Sequence, residues 1–129
     1  MLLDYYYTII NKQTESHGAL FNIALLPECS VYKGHFPDMP VAPGVFNIQM
    51  IKECVERLVG KPLLLESITQ CKFLTMITPD QHMELQVRIE LVENRENHFM
   101  TTAKIHHNET ICMSFTGDFI LNSQFSILN

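Results

Sequence analysis

Gly34-His35-Phe36-Pro37-Asp38-Met39-Pro40-Val41-Ala42-Pro43-Gly44-Val45 leads without a break into Phe46-Asn47-Ile48-Gln49-Met50-Ile51-Lys52-Glu53-Cys54-Val55-Glu56-Arg57-Leu58-Val59. The stretch from Lys33 to Pro43 carries Gly34, Pro37, Pro40 and Pro43, a density that no helix or central strand survives. It reads as a long, apolar loop, and loops of that kind are more often functional than idle. From Gly44 to Val59 the pattern reverses: Phe46 to Leu58 contains neither Pro nor Gly, and Ile48, Ile51, Val55 and Leu58 recur at three- and four-residue steps. That spacing predicts a helix with an apolar face. Val45, Cys54 and Val59 widen the face, so the helix should be well buried. Gly60 is placed to cap it and Pro62 to prevent its continuation.

On either side of this loop and helix the pattern is that of strands. Tyr5 to Asn11 is aromatic and β-branched, and Ala19 to Leu26 alternates Phe21, Ile23 and Leu25 against Asn22 and Ala24 before Pro27 stops it. Leu63 to Ile77 is long and β-rich, ending at Pro79-Asp80. Met83 to Val92 sets Met83, Leu85, Val87, Ile89 and Leu91 opposite Glu84, Gln86, Arg88 and Glu90. After a turn at Asn94 to Asn97, Phe99 to His106 and Thr110 to Leu121 should pair across His107-Asn108-Glu109, leaving Asn122 to Asn129 as a loose tail. Two strands, a loop, one buried helix and four strands make a single α+β domain over residues 1–129, with a helix layered on an antiparallel sheet.

The bulk chemistry removes several function classes. The 129 residues are 47% hydrophobic and 18% charged, with a formal net charge of −5. Nucleic-acid binding needs a dense basic field, and none is visible; Lys61 and Arg57 remain available to an acidic protein partner. Cys29, Cys54, Cys71 and Cys112 form no CxxC pair and sit among apolar residues, which points to buried, reduced thiols, a cytoplasmic location and no zinc site. His106 and His107 should point to opposite faces of one strand, and His17, His82 and His98 lack partners at ligand spacing, so no metal is expected. Asp4 interrupts the N-terminal apolar run, which argues against a signal peptide, and no run of eighteen apolar residues suggests a membrane span.

The block His35-Phe36-Pro37-Asp38-Met39-Pro40-Val41-Ala42-Pro43-Gly44-Val45 resembles the motif of the β-hydroxyacyl-acyl carrier protein dehydratases (FabZ/FabA-like). His35, Phe36, Pro37, Pro40, Pro43, Gly44 and Val45 all fall in register. Lys72-Phe73, Ile77 and Pro79-Asp80 resemble a second stretch, without the usual Gly between Pro and Asp. Ser114 to Phe119 is loosely similar, so the likeness runs from about residue 20 to 121. It implies a hotdog fold, a curved antiparallel sheet wrapped round one long central helix. It implies a dimer whose active sites draw on both subunits. It also implies substrates carried on the phosphopantetheine arm of acyl carrier protein, in fatty-acid or specialised lipid and polyene biosynthesis, with no further cofactor.

Dehydration of a 3-hydroxyacyl thioester needs a base for the proton beside the carbonyl, a donor for the carbonyl oxygen and an acid for the departing hydroxyl. The resemblance makes His35 the base, whose intrinsic pKa suits proton transfer near neutrality. Gly44, opening the helix, would offer its N–H and the positive end of the helix dipole to the thioester oxygen. Phe36, Pro43, Val45, Phe46 and Phe73 would bind the acyl group, with Met39 and Val41 as further candidates. The acid position, five residues after the glycine, holds Gln49 where the family has Glu or Asp. An amide hydrogen-bonds but delivers no titratable proton. Glu53, one turn on, and Asp38, in the loop, are substitute candidates, although Gln49, Glu53 and Glu56 also line up as a plausible wet stripe. Three readings follow: a dehydratase with an altered acid, a non-catalytic acyl-thioester-binding subunit or His-bearing half of a heterodimer, and a hotdog thioesterase.

Overall fold

A computed structural model describes residues 1–34 and 41–123, although the side chains of 33 and 34 are outside the description. His35, Phe36, Asp38 and Met39, and positions 124–129 of the expected tail, therefore lie outside the described residues. The strands are β1 (Tyr7–Glu15), β2 (Gly18–Leu25), β3 (Leu63–Phe73), β4 (Glu84–Arg95), β5 (His98–His107) and β6 (Thr110–Leu121), and the helices are α1 (Val31–Gly34) and α2 (Gly44–Val59). The strands form one antiparallel sheet in the order β1-β2-β4-β5-β6-β3. Packed against β2, β3 and β4, α2 completes the curved hotdog arrangement.

Period-two alternation decides which face of each strand is covered. Phe21, Ile23 and Leu25 of β2, Leu85, Val87 and Ile89 of β4, Phe99, Ala103 and Ile105 of β5, and Phe115 and Phe119 of β6 are buried in one core with Met50, Ile51, Cys54 and Val55 of α2. On the other face, Asn22 Nδ2 donates across the β1–β2 pair to Asn11 Oδ1 at 2.7 Å. The helix ends where predicted, at Gly60, whose φ of 74° is left-handed and whose N–H donates to the Glu56 carbonyl at 2.8 Å.

Several boundaries differ from expectation. β1 starts at Tyr7 and runs to Glu15 because Asp4, at φ 66°, turns the chain, and Tyr5 and Tyr6 donate their N–H groups back to Leu2. The chain at Val31–Gly34 is a single helical turn, so Lys33 and Gly34 do not begin the loop. β3 stops at Phe73, and β4 continues past Val92 to Arg95. Met83 is exposed at the mouth of β4, while Cys71 is only partly covered. Asn122 is buried, its N–H donating to the Pro62 carbonyl at 2.9 Å, so the expected loose tail begins no earlier than the next residue.

Candidate active site

The described part of the site begins where the loop becomes α2. Pro43 is the N-cap, with φ −66° and ψ 137°, and brings no side-chain cap. The helical ladder starts with the Phe46 and Asn47 N–H groups, which donate to the Pro43 carbonyl at 3.1 and 3.2 Å. The N–H groups of Gly44 and Val45 precede that ladder and are the ones a helix end offers to an anion or a polarised oxygen. The junction is anchored from behind by the Ala42 N–H, which donates to the Ile77 carbonyl at 2.7 Å.

Gly44 leaves room for the Phe73 ring rather than meeting a need for an unusual dihedral. A Cβ at this position would lie 2.7 Å from Phe73 Cζ, inside any normal contact. Phe73, 58% exposed, thus lies over the first residue of the helix. Around this contact is a cavity of about 400 Å³ whose walls include Val41, Gly44, Asn47, Phe73, Met76 and Cys112. Burial pushes the Cys112 thiol up, so near neutrality it serves as wall rather than nucleophile.

Gly44, Phe73 and Val41 therefore come together. The remaining candidates are distributed differently. Val45 is 71% exposed, and Phe46 turns toward the interior, its ring edge-on to Tyr6 with centroids 5.1 Å apart. His35 and Phe36 lie outside the described residues.

Gln49 is absent from the cavity wall, and its Nε2 donates to Glu53 Oε2 at 2.9 Å. Glu53 is no part of a wet stripe, being 5% exposed. Its carboxyl also accepts from the Leu2 N–H at 2.7 Å, the Leu3 N–H at 3.1 Å and the Tyr7 hydroxyl at 2.9 Å. Burial, with Cys54 and Glu53 nearby, pushes the Tyr7 hydroxyl far up, which keeps it a neutral donor. With four donors on its two oxygens, Glu53 holds the N-terminal segment to α2 and is poorly suited to replace the missing acid. Glu56 accepts from the Leu63 N–H at 2.8 Å and pairs with Lys52 at 3.6 Å.

Sequence reading missed Asn47 and Cys112 in the cavity wall. Asn47 had a signal: it lies three residues after Gly44, on the same side of a helix. Cys112 had none, because its place depends on β6 lying beside the segment that follows β3. The described histidines sit apart from the cavity wall, although His82 and His107 meet edge-to-face with centroids 4.8 Å apart, a contact their spacing did not suggest.

The family described as ApeI-like, ApeI dehydratase, matches residues 11–115. The 3-hydroxyacyl-[acyl-carrier-protein] dehydratase FabZ of Caldanaerobacter subterraneus is 31% identical over 68 residues, covering 47% of this chain and 48% of its own. FabZ of Wolbachia pipientis is 36% identical over 66 residues, 46% of each chain. The chain spans about half the length of these relatives. The Dehydratase Heterocomplex ApeI:P from Xenorhabdus doucetiae superposes with a TM-score of 0.73 at 21% identity, over 87% of this chain and 96% of that one. A Helicobacter felis protein, the HP0420-homologue, gives 0.68 at 13% identity, over 92% and 89%. These superpositions describe the fold; the family match, over more than half the chain, goes further, and the chain belongs to the ApeI-like dehydratase family.

Proposed function

We propose that the chain acts in the dehydration of 3-hydroxyacyl thioesters carried by acyl carrier protein. The observation that carries this reading is the uncapped start of α2 at Gly44, opening onto an apolar cavity in an ApeI-like dehydratase. The thioester carbonyl would take the Gly44 N–H, and His35 would remove the proton from the adjacent carbon. The electron pair forms the carbon–carbon double bond as the carbon–oxygen bond at C3 breaks. The hydroxyl leaves as water once an acid supplies a proton, and the product is a trans-2-enoyl thioester.

The source of that proton favours a second reading, in which this chain is the His-bearing half of a heterodimer. Gln49 delivers no proton, and Glu53 is occupied by four donors. A homologous subunit would then contribute the carboxyl. The relative from Xenorhabdus doucetiae is itself described as a heterocomplex. The edge strand β3 offers the docking surface: among the described residues it pairs on one side only, with β6, and Leu64, Ile68 and Phe73 are exposed.

Both readings are tested by incubating the purified chain, with and without a homologous dehydratase subunit, with a 3-hydroxyacyl-carrier-protein thioester and following the enoyl product. His35→Ala should lower turnover on the order of 10²-fold or more. Activity appearing only with the added subunit supports the heterodimer. Failure under every condition would sink the dehydratase reading.

A further inference from the structure

The cavity beside Gly44 has a second polar element in its wall. Asn47 is 2% exposed and lines the cavity. Its carboxamide oxygen is engaged, because the Tyr6 hydroxyl donates to Oδ1 at 2.6 Å. Tyr6 is fully buried. Burial, and then the neighbouring Tyr32, push its ionisation far above the ordinary range, so it remains a donor. A carboxamide is a rigid plane with an acceptor at one end and two donor hydrogens at the other. Fixing the oxygen therefore fixes the amino group. Apart from Asn47 and Thr75, the described side chains lining the cavity are apolar or thiol. Placing an amide in such a wall is costly unless its donors meet an acceptor.

We infer that Asn47 is a substrate-binding residue of this cavity, its Nδ2 donating to the thioester carbonyl oxygen of an acyl-pantetheine ligand alongside the Gly44 N–H, with Tyr6 as the positioning residue. The inference rests on the acyl-thioester reading above and assigns Asn47, rather than Gln49, to the ligand. As the neighbouring carbon loses its proton, charge grows on that oxygen, and a fixed donor pair holds it more strongly than the ground-state carbonyl.

The test compares two ligands on the full chain, together with its homologous subunit where the two co-purify. One is a 3-hydroxyoctanoyl-pantetheine thioester; the other is the matching thioether, with a methylene in place of the carbonyl. Asn47→Leu, close to isosteric but without donors, should weaken thioester binding about 10-fold and leave the thioether unchanged. Asn47→Asp should weaken the thioester at least as much. Tyr6→Phe, which frees the amide to rotate, should lose part of the preference for thioester over thioether, a ratio that a merely structural role would not move. Equal losses on both ligands, or none, overturn the inference. Wild-type protein that binds neither ligand overturns the acyl-thioester reading and this inference together. Wild-type protein that binds both, with Asn47→Leu indistinguishable from it, overturns only the assignment of Asn47. If Asn47→Leu does not fold, Asn47→Asp and Tyr6→Phe decide by the same ratio.

Discussion

Four donors meet on the Glu53 carboxyl, two from the backbone of the first residues, one from Tyr7 and one from Gln49 one helical turn away. A carboxyl accepts on both oxygens, whereas a carboxamide accepts on one and donates at the other. Glu53→Gln should therefore turn part of this cluster against itself, setting N–H against N–H or O–H in a buried place. The expected loss is about 3 kcal/mol of unfolding free energy, read from urea denaturation. A loss within the ordinary surface range of about 0.5 kcal/mol would show that the cluster is not holding the N-terminal segment. From the sequence, Gln49, Glu53 and Glu56 look alike, three polar residues on a helical stripe. What distinguishes Glu53 is a chain segment about fifty positions earlier that lays its donors across it, and no local pattern announces such a partner.

At the scale of the element, the helix Gly44–Val59 and strand Thr110–Leu121 were legible to the residue. Apolar periodicity and Gly60 fix the first, and alternation between polar ends fixes the second. β4 was not, because beyond Val92 it carries Glu93, Asn94 and Arg95, whose pairing with β5 satisfies the backbone without burying side chains. The β4–β5 pair also holds a titratable group in an unfavourable place. Burial first, and then Arg88 on β4 and Lys104 on β5, lower the pKa of His106 from its ordinary 6.5. The unfolded chain then takes up that proton more readily than the folded one. Stability is unaffected above about pH 6.5 and falls as the pH drops below it. His106→Gln should flatten the decline in Tm between pH 7 and pH 5, by a small amount for a ring that is only partly buried. Parallel pH profiles for variant and wild type would rule the linkage out.

For the whole molecule, the consequential feature is which strands lie at the edges. β1 forms one edge and β3 the other. β3 is eleven residues long with Leu64 and Ile68 exposed. Exposed apolar side chains on a free edge invite another strand. If a second subunit adds along β3, Ile68→Lys should weaken association at least 10-fold in sedimentation velocity while leaving the far-ultraviolet circular dichroism unchanged. Unaltered association would move the contact elsewhere. The architecture, one helix on an antiparallel sheet, was visible in the order of elements. The sheet order was not, since β3 passes over β4 to lie beside β6, and pairings between strands distant in sequence leave no trace in local composition. The candidate site divides in the same way: Gly44 and Phe73 came from a motif, whereas Asn47 depends on a tyrosine 41 residues away.

The strand order also implies a sequence of events in time. β4, β5 and β6 are joined by short turns and can zip locally, but β3 closes a loop of about fifty residues, as the 51-residue separation of Ser67 and Asp118 across the β3–β6 pair shows. Long closures carry more entropy and slow folding, so the edge expected to receive a partner should settle late, as should the still longer closure that brings Ala24 of β2 to Glu84 of β4. During that interval the newborn chain would present β6 as a free edge, and a homologous chain made nearby would compete for it. Synthesis of two such subunits side by side would then influence which pairs form, before equilibrium affinity has any say.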